Sequence, residues 1–229
     1  MNEIPILIPI KEHSERCPHK NRYLLPFTAK YLEQQNRLSS AWVISDSPEL
    51  LDLASSLNIN TFLETPVPGQ NERTACWKFL QTHYSPEFFL CPVTQPFRSK
   101  DLLEEMELSY LDRNDADFIT AMTITPDRQQ FYVEPADRHY LFEFHSECRM
   151  GATCRNVYMV DGSLYLIRTS FLERIVHLKD STSAFWNARF SCIINKAPFM
   201  DIDTEDDLYK FNFLENYFQY DFTRHEQRI

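Results

Sequence analysis

The chain has 229 residues, enough for one domain with a sizeable core, and its 23 Lys and Arg against 33 Asp and Glu leave a formal net charge of −10. That balance excludes a nucleic-acid binder relying on broad positive potential, and no stretch of eighteen apolar residues offers a transmembrane helix. The start, MNEIPILIPIKEHSER, lacks a basic leader and a small-residue cleavage site, so the expectation is a cytoplasmic protein with neither membrane nor nucleic acid as partner.

An Ile-rich apolar run over residues 4–10 reads as a buried first strand, with Pro5 and Pro9 as irregularities. Residues 11–21 follow as a polar loop carrying Lys11, Ser14, Arg16 and Lys20. In open α/β sheets ligands bind at that end of a strand, and a basic loop there suits a triphosphate. A helix is expected from Thr28, as N-cap, to about Arg37. Residues 41–45 form a strand, residues 48–59 a helix with Leu50, Leu51, Leu53, Ala54 and Leu57 at helical spacing, and residues 60–63 a further strand. Strand, helix, strand, helix, strand implies parallel pairing in a doubly wound sheet.

Residues 64–73, with two prolines and a glycine, read as a loop before a helix over 74–83. Residues 88–90 are expected as a central strand, Ser99 as the cap of the next helix, and residues 117–125 as a strand. Residues 126–156 carry short aromatic pieces among many charges and give no clear element. Asp161-Gly162 inside residues 157–167 is a hairpin signal, a short helix follows over 168–176, and Thr204 caps a terminal amphipathic helix. No repeat or linker splits the chain, so residues 1–229 read as one domain with an insertion-like region at 126–156.

Only three glycines occur (Gly69, Gly151 and Gly162), which rules out a Walker A loop and a GxGxxG fingerprint. Phosphate, if bound, must be gripped largely by side chains. The six cysteines (Cys17, Cys76, Cys91, Cys148, Cys154 and Cys192) show no CxxC pairing or zinc spacing, so free thiols and no zinc are expected. Asp201 and Asp203 alternate along one extended segment and so face the same side, where they can share a hard cation such as Mg²⁺.

The segment Lys11-Glu12-His13-Ser14-Glu15-Arg16-Cys17-Pro18-His19-Lys20-Asn21 resembles the first loop of the cytidylyltransferases that activate acidic sugars. That loop reads R-x-x-S-K-G-x-P-x-K-N in CMP-N-acetylneuraminate synthetases and R-x-x-S-x-R-x-P-x-K-P in CMP-3-deoxy-manno-octulosonate synthetases. Further likenesses follow in the same order. Val43-Ile44-Ser45-Asp46 is similar to V-S-T-D, Asn71-Glu72-Arg73 to T-E-R, and residues 90–98 (LCPVTQPFR) to L-L-Q-P-T-S-P-L-R. Residues 161–166 (DGSLYL) resemble N-G-A-I-Y-I, and residues 201–208 (DIDTEDDL) resemble D-I-D-T-E-x-D-L.

The resemblance implies a doubly wound, mostly parallel α/β fold and condensation of CTP with an acidic α-keto sugar, sialic-acid-like or octulosonate, to a CMP-sugar and pyrophosphate. By it, Lys11, Ser14, Arg16 and Lys20 serve the triphosphate; Asn21, Arg73, Ser45 and Asp46 the nucleotide; Thr94, Gln95 and Tyr165 the sugar; and Asp201 and Asp203 hold Mg²⁺. It also implies a homodimer built through residues 126–156, where Arg128, Arg149 and Arg155 are candidates to grip the sugar carboxylate. The chain departs from the family at Lys11, a point charge in place of a forked arginine, at Glu12 and His13 in place of small residues, and at His19 in place of a common glycine. Cys91-Pro92 replaces the glutamine before P-T-S-P, and no general base is evident. Two alternatives stay open: a nucleotidyltransferase with another nucleotide or sugar, and a non-catalytic binding or regulatory protein of the same fold.

Overall fold

The computed structural model describes residues 3–12, 16–65, 70–112, 115–126, 133–135, 142–144 and 156–218. Its centre is the first apolar run. In β1 (Ile6–Pro9) successive side chains point to opposite faces of the sheet. Ile6 and Ile8 join one core cluster and Leu7 the other, each fully buried. A strand apolar on both sides belongs inside a sheet covered twice, and burial of each such side chain contributes roughly 1.5–3 kcal/mol.

The seven-stranded sheet has the order β3-β2-β1-β4-β8-β5-β9. β2 (Ala41–Ser45) and β3 (Asn60–Leu63) lie parallel on one side of β1, as expected to the residue. β4 (Glu87–Leu90) lies parallel on the other side and is the middle strand. Beyond it β8 (Asn156–Arg168) runs antiparallel to β4, and β5 (Phe118–Pro126) pairs parallel with β9 (Phe190–Ile194). One face carries α1 (Lys20–Gln34), α2 (Pro48–Ser56), α4 (Leu102–Asp112) and α7 (Glu205–Phe218) on the cluster around Ile6 and Ile8. The other carries α3 (Glu72–Leu80), α5 (Thr169–Ile175) and α6 (Ser181–Trp186). The fold is the expected mostly parallel sheet with helices on both faces.

The chain forms two compact units, Met1–Met122 with Val160–Ile229, and Thr123–Met159. In the second, β6 (Val133–Pro135) pairs antiparallel with β7 (Phe142–Phe144). Arg128, Arg149 and Arg155, with Cys148 and Cys154, lie outside the described residues, as does most of the expected insertion. Cys17, Cys76, Cys91 and Cys192 are free thiols. No helix among the described residues is long and apolar enough to cross a membrane.

Three local expectations are corrected. α1 begins at Lys20, not Thr28, which is buried in mid-helix. Pro26 lies inside the helix, where proline removes a donor and crowds the preceding turn. The helix carries it because Leu24, Leu25, Phe27, Tyr31 and Leu32 all bury on one side. At its end Asn36 turns left-handed (φ 55°) and Arg37 N–H donates to Leu32 O at 2.8 Å, a Schellman-type stop. Second, Ser99 serves the next helix through its carbonyl, which accepts Leu102 N–H, and its hydroxyl is unpartnered.

Third, Asp161-Gly162 does not reverse the chain, since β8 runs through it for 13 residues. A two-residue type I′ turn needs both residues at positive φ, and only Gly162 has it (φ 72°). The Asp161 carboxylate instead accepts the Ser163 N–H and hydroxyl at 2.8 and 2.7 Å, holding a kink within the strand. A Cβ at Gly162 would come within 3.2 Å of Tyr165 Oη and 3.6 Å of Gln95 Cδ, so the glycine also lets these side chains approach the backbone.

Candidate functional site

The connections from β1 and β4 leave in opposite directions across the sheet, making a topological switch point where a crevice opens beyond the strands' carboxyl ends. A cleft of about 390 Å³ lies there, lined by Pro9, Ile10 and Lys11 after β1, Lys20 and Asn21 at the start of α1, Glu64, and Gln70–Arg73 before and within α3. Val93 and Thr94 after β4, with Asp203 before α7, close it. A second lobe of about 130 Å³ is lined by Glu72, Arg73, Thr94, Gln95, Gly162, Tyr165 and the aromatic rings of Phe185 and Trp186. The two lobes share Glu72, Arg73 and Thr94.

The loop after β1 is held by its own side chains. Asn21 Nδ2 donates to Lys11 O at 2.6 Å, and Lys11 Nζ reaches Gln70 O at 3.3 Å. Glu12 accepts from Arg22 Nε at 2.8 Å and Ser47 Oγ at 3.1 Å and pairs with His19 at 3.1 Å, tying the loop to the starts of α1 and α2. Desolvation pushes the Glu12 pKa up, but the hydrogen bonds from Arg22, His19 and Ser47 and the Arg22 charge outweigh it, so the pKa is lowered. The bulky residue in place of a small one is therefore a fastener.

His19 occupies the left-handed region (φ 62°), where an L side chain is strained and glycine is not. Replacing it with glycine removes about 1–2 kcal/mol of strain, against about 0.5–1 kcal/mol of extra chain entropy and one exposed ion pair. His19→Gly is thus expected to raise stability by about 0.5 kcal/mol, read as a higher urea midpoint at constant slope. A lower midpoint would show that the Glu12 contact outweighs the backbone.

Asp203 gathers the cations. Arg16 grips it with two bonds, Nη1 to Oδ2 at 2.9 Å and Nη2 to Oδ1 at 3.0 Å, a bidentate fork. Lys20, buried at the helix start, donates to Ile202 O at 2.6 Å and lies 3.4 Å from Asp203 Oδ1. Asp201 accepts from Gln95 Nε2 at 2.9 Å. Burial and then the neighbouring Asp203 charge push the Asp201 pKa up, against the opposing pull of Lys20 and Arg16. Two carboxylates on one short segment, with no cluster of three or more ligating residues among those described, fit a cation completed by substrate oxygens. Thr204 caps α7 through a reciprocal box: its hydroxyl accepts Asp207 N–H, and Asp207 Oδ2 accepts the Thr204 N–H and hydroxyl.

On the far wall Arg73 is pinned from α6, donating to Thr182 Oγ1 at 2.8 Å with its guanidinium 5.1 Å over the Phe185 ring, while its Nε is buried without a partner. Thr94 Oγ1 donates to Gln95 Oε1 at 3.0 Å, and burial followed by the Glu72 and Asp161 charges pushes Tyr165 up to about 12. Lys11, Lys20, Asn21, Arg73, Thr94 and Asp203 therefore line the larger lobe, while Arg73, Thr94, Gln95 and Tyr165 line the smaller. Arg16 and Asp201 join them through Asp203 and Gln95. Ser14 lies outside the described residues. Ser45 and Asp46 line neither lobe: the buried Ser45 Oγ accepts Ser47 N–H, setting up the turn into α2, and Asp46 is exposed.

Three contributors were not among the expected site residues. Thr182 and Phe185 lie on α6, in a stretch that gave no periodic signal. Glu72 reads in sequence as an ordinary acidic first-turn residue after the Asn71 cap, which accepts Thr74 N–H. The hint in the sequence is its place in the Asn71-Glu72-Arg73 segment that resembles T-E-R.

No family model matches the sequence, and no curated protein matches it. Solved structures do. CMP:2-keto-3-deoxy-manno-octonic acid synthetase complexed with CTP is 14% identical, with a TM-score of 0.66 over 94% of this chain and 99% of that one. A cytidylyltransferase from Leptospira borgpetersenii is 14% identical, with a TM-score of 0.65 over 98% of this chain and 92% of that one. HddC from Yersinia pseudotuberculosis complexed with GMP-PN is 14% identical, with a TM-score of 0.60 over 91% of this chain and 97% of that one. The likeness is one of fold: the chain has the architecture of these cytidylyltransferase and nucleotide-bound structures along almost its whole length.

Proposed function

We propose that this chain is a nucleotidyltransferase that uses CTP and Mg²⁺ to activate an acidic α-keto sugar, releasing pyrophosphate. The observation that carries it is the two-lobed cleft at the switch point, with Lys11, Lys20, Asn21, Arg73 and Asp203 on the larger lobe. A triphosphate there would meet Lys11 and Lys20, with Arg16 able to swing from Asp203. These cations neutralise the charge that builds as pyrophosphate departs. Asp201 and Asp203 would hold Mg²⁺, which supplies Lewis-acid stabilisation of the phosphate oxygens. Asn21 and Arg73 face the nucleotide, and Gln95, Thr94 and Tyr165 face the acceptor sugar in the smaller lobe. A homodimer belongs to the same reading.

The neighbour complexed with CTP supports cytidine and the one complexed with GMP-PN supports the rival reading of another base. Thermal shifts with CTP, UTP, ATP and GTP in Mg²⁺ separate them, CTP being expected to raise the melting temperature most. Equal shifts would remove the cytidine assignment. Pyrophosphate release from CTP with a panel of nonulosonic and octulosonic acids tests transfer itself. Its absence with every nucleotide and acid would leave the binding-protein reading, which the engagement of Asp203 by Arg16 and Lys20 favours.

A further inference from the structure

We propose that Glu72 is the general base of the reaction, taking the proton from the acceptor hydroxyl as it attacks the α-phosphate; this rests on the nucleotidyl-transfer reading. The argument is positional. Where one lobe holds the triphosphate and the other the acceptor, the reacting oxygen and phosphorus meet at their common wall. That wall is Glu72, Arg73 and Thr94, and among the described residues Glu72 is its one carboxylate.

The other carboxylates are committed. Asp203 is gripped by Arg16 and Lys20, Asp201 accepts from Gln95, and Glu64 accepts from Gln70. Glu72 makes no side-chain hydrogen bond or ion pair with a described residue. Glu72 is exposed to solvent in the cleft, which gives the captured proton a way out. The protein packed around the carboxylate still costs it hydration and pushes its pKa above the usual carboxylate range, towards the operating pH where a base is most effective.

The groups that face it are Arg73 on its own helix, Lys20 on α1, Lys11 on the first loop and Asp201 before α7, with Tyr165 on β8 and Cys76 one turn along α3. Arg73, Lys20 and Lys11 lower its pKa and Asp201 raises it, so the cations temper the shift without cancelling it. In the step, the acceptor O–H bond breaks with its proton going to Glu72, and the acceptor oxygen forms a bond to the α-phosphorus. The bond from that phosphorus to the bridging oxygen breaks, and pyrophosphate leaves with the electron pair. Arg73 beside it balances the added negative charge.

The test compares wild type with Glu72→Gln and Glu72→Asp, reading CTP affinity by calorimetry and the pH profile of pyrophosphate release. Glu72→Gln is expected to lower kcat by about 10²–10³-fold with CTP affinity held within about threefold, and to flatten the acid limb of the profile. Glu72→Asp, keeping a carboxylate on a shorter arm, is expected to recover part of the rate. An unchanged kcat and acid limb in Glu72→Gln, with wild type active, would overturn the base and leave nucleotidyl transfer standing. Loss of CTP affinity in parallel with rate would likewise overturn it, placing Glu72 in nucleotide binding. A wild type that releases no pyrophosphate from any triphosphate would overturn the transfer reading and the base together.

Discussion

Asp203→Ala is expected to lower Mg²⁺-dependent pyrophosphate release by at least about 10²-fold, since a bound cation supplies several kcal/mol of charge stabilisation. Asp203 is also the anchor for Arg16 and, with the Ile202 carbonyl, for Lys20. Removing it frees one guanidinium and relaxes one ammonium towards the larger lobe. A second signature follows: with chelator present, triphosphate binding should hold or tighten in the variant, because two cations no longer have a protein carboxylate to prefer. The fold should barely notice, as the pair is solvent-reached and exposed ion pairs contribute at most about 1 kcal/mol. Wild-type turnover with unchanged Mg²⁺ dependence would remove Asp203 from the cation site.

The largest stability effect is expected at Arg98. Its side chain is fully buried, and its three hydrogen bonds all go to main-chain carbonyls: Nε to Ser163 O at 2.9 Å, Nη1 to Pro96 O at 3.4 Å and Nη2 to Pro92 O. The guanidinium also lies 5.6 Å over the Tyr31 ring. Residues 92–96 contain two prolines and no strand or helix, so the loop that presents Thr94 and Gln95 is held at both its ends by this group, with Ile202 N–H on the Thr94 carbonyl between them. Arg98→Met fills much of the space and leaves the carbonyls unpaired, at a cost of about 3–5 kcal/mol. Urea unfolding measures it. Arg98→Lys should fall between the two, because one ammonium cannot span three carbonyls in the guanidinium plane. An unchanged midpoint in Arg98→Met would show that water or backbone movement satisfies the loop.

The parts of the fold legible in the sequence are those where burial and period agree. β2 and β3 carry strand-forming residues between clear turn signals and fall where expected, and the chain order strand–helix–strand leaves parallel pairing as the natural outcome. The failures share a different cause. The first turns of α1 are polar because Lys20 and Asn21 face the cleft, so a helix start looked like loop. Asp161-Gly162 met a turn rule locally, but pairing with β4 held residues on its carboxyl side in register, Tyr165 opposite Leu90. α6 and β9 are short and half-exposed, with no periodic stripe to announce them.

The site divides in the same way. Lys11, Arg16, Lys20, Asp201 and Asp203 could be found because like chemistry recurs in short segments. Their meeting is a property of the sheet, which brings the end of β1 and the approach to α7 to one crevice. Glu72 lies in the segment that resembles T-E-R, but by residue type and spacing it reads like the many acids that begin helices. Its place on the wall shared by both lobes sets it apart.

The fork between Arg16 and Asp203 joins residues 187 positions apart. On a ribosome, the loop after β1 therefore emerges well before its counter-charge. Until Asp203 appears, Arg16 and Lys20 are a bare cationic patch on an unfinished sheet, free to hold any polyanion nearby. Long-range closure of this kind also slows folding, because the chain entropy is lost before the contact forms. A chain cut short before Asp201 keeps the basic loop without the carboxylates that discipline it.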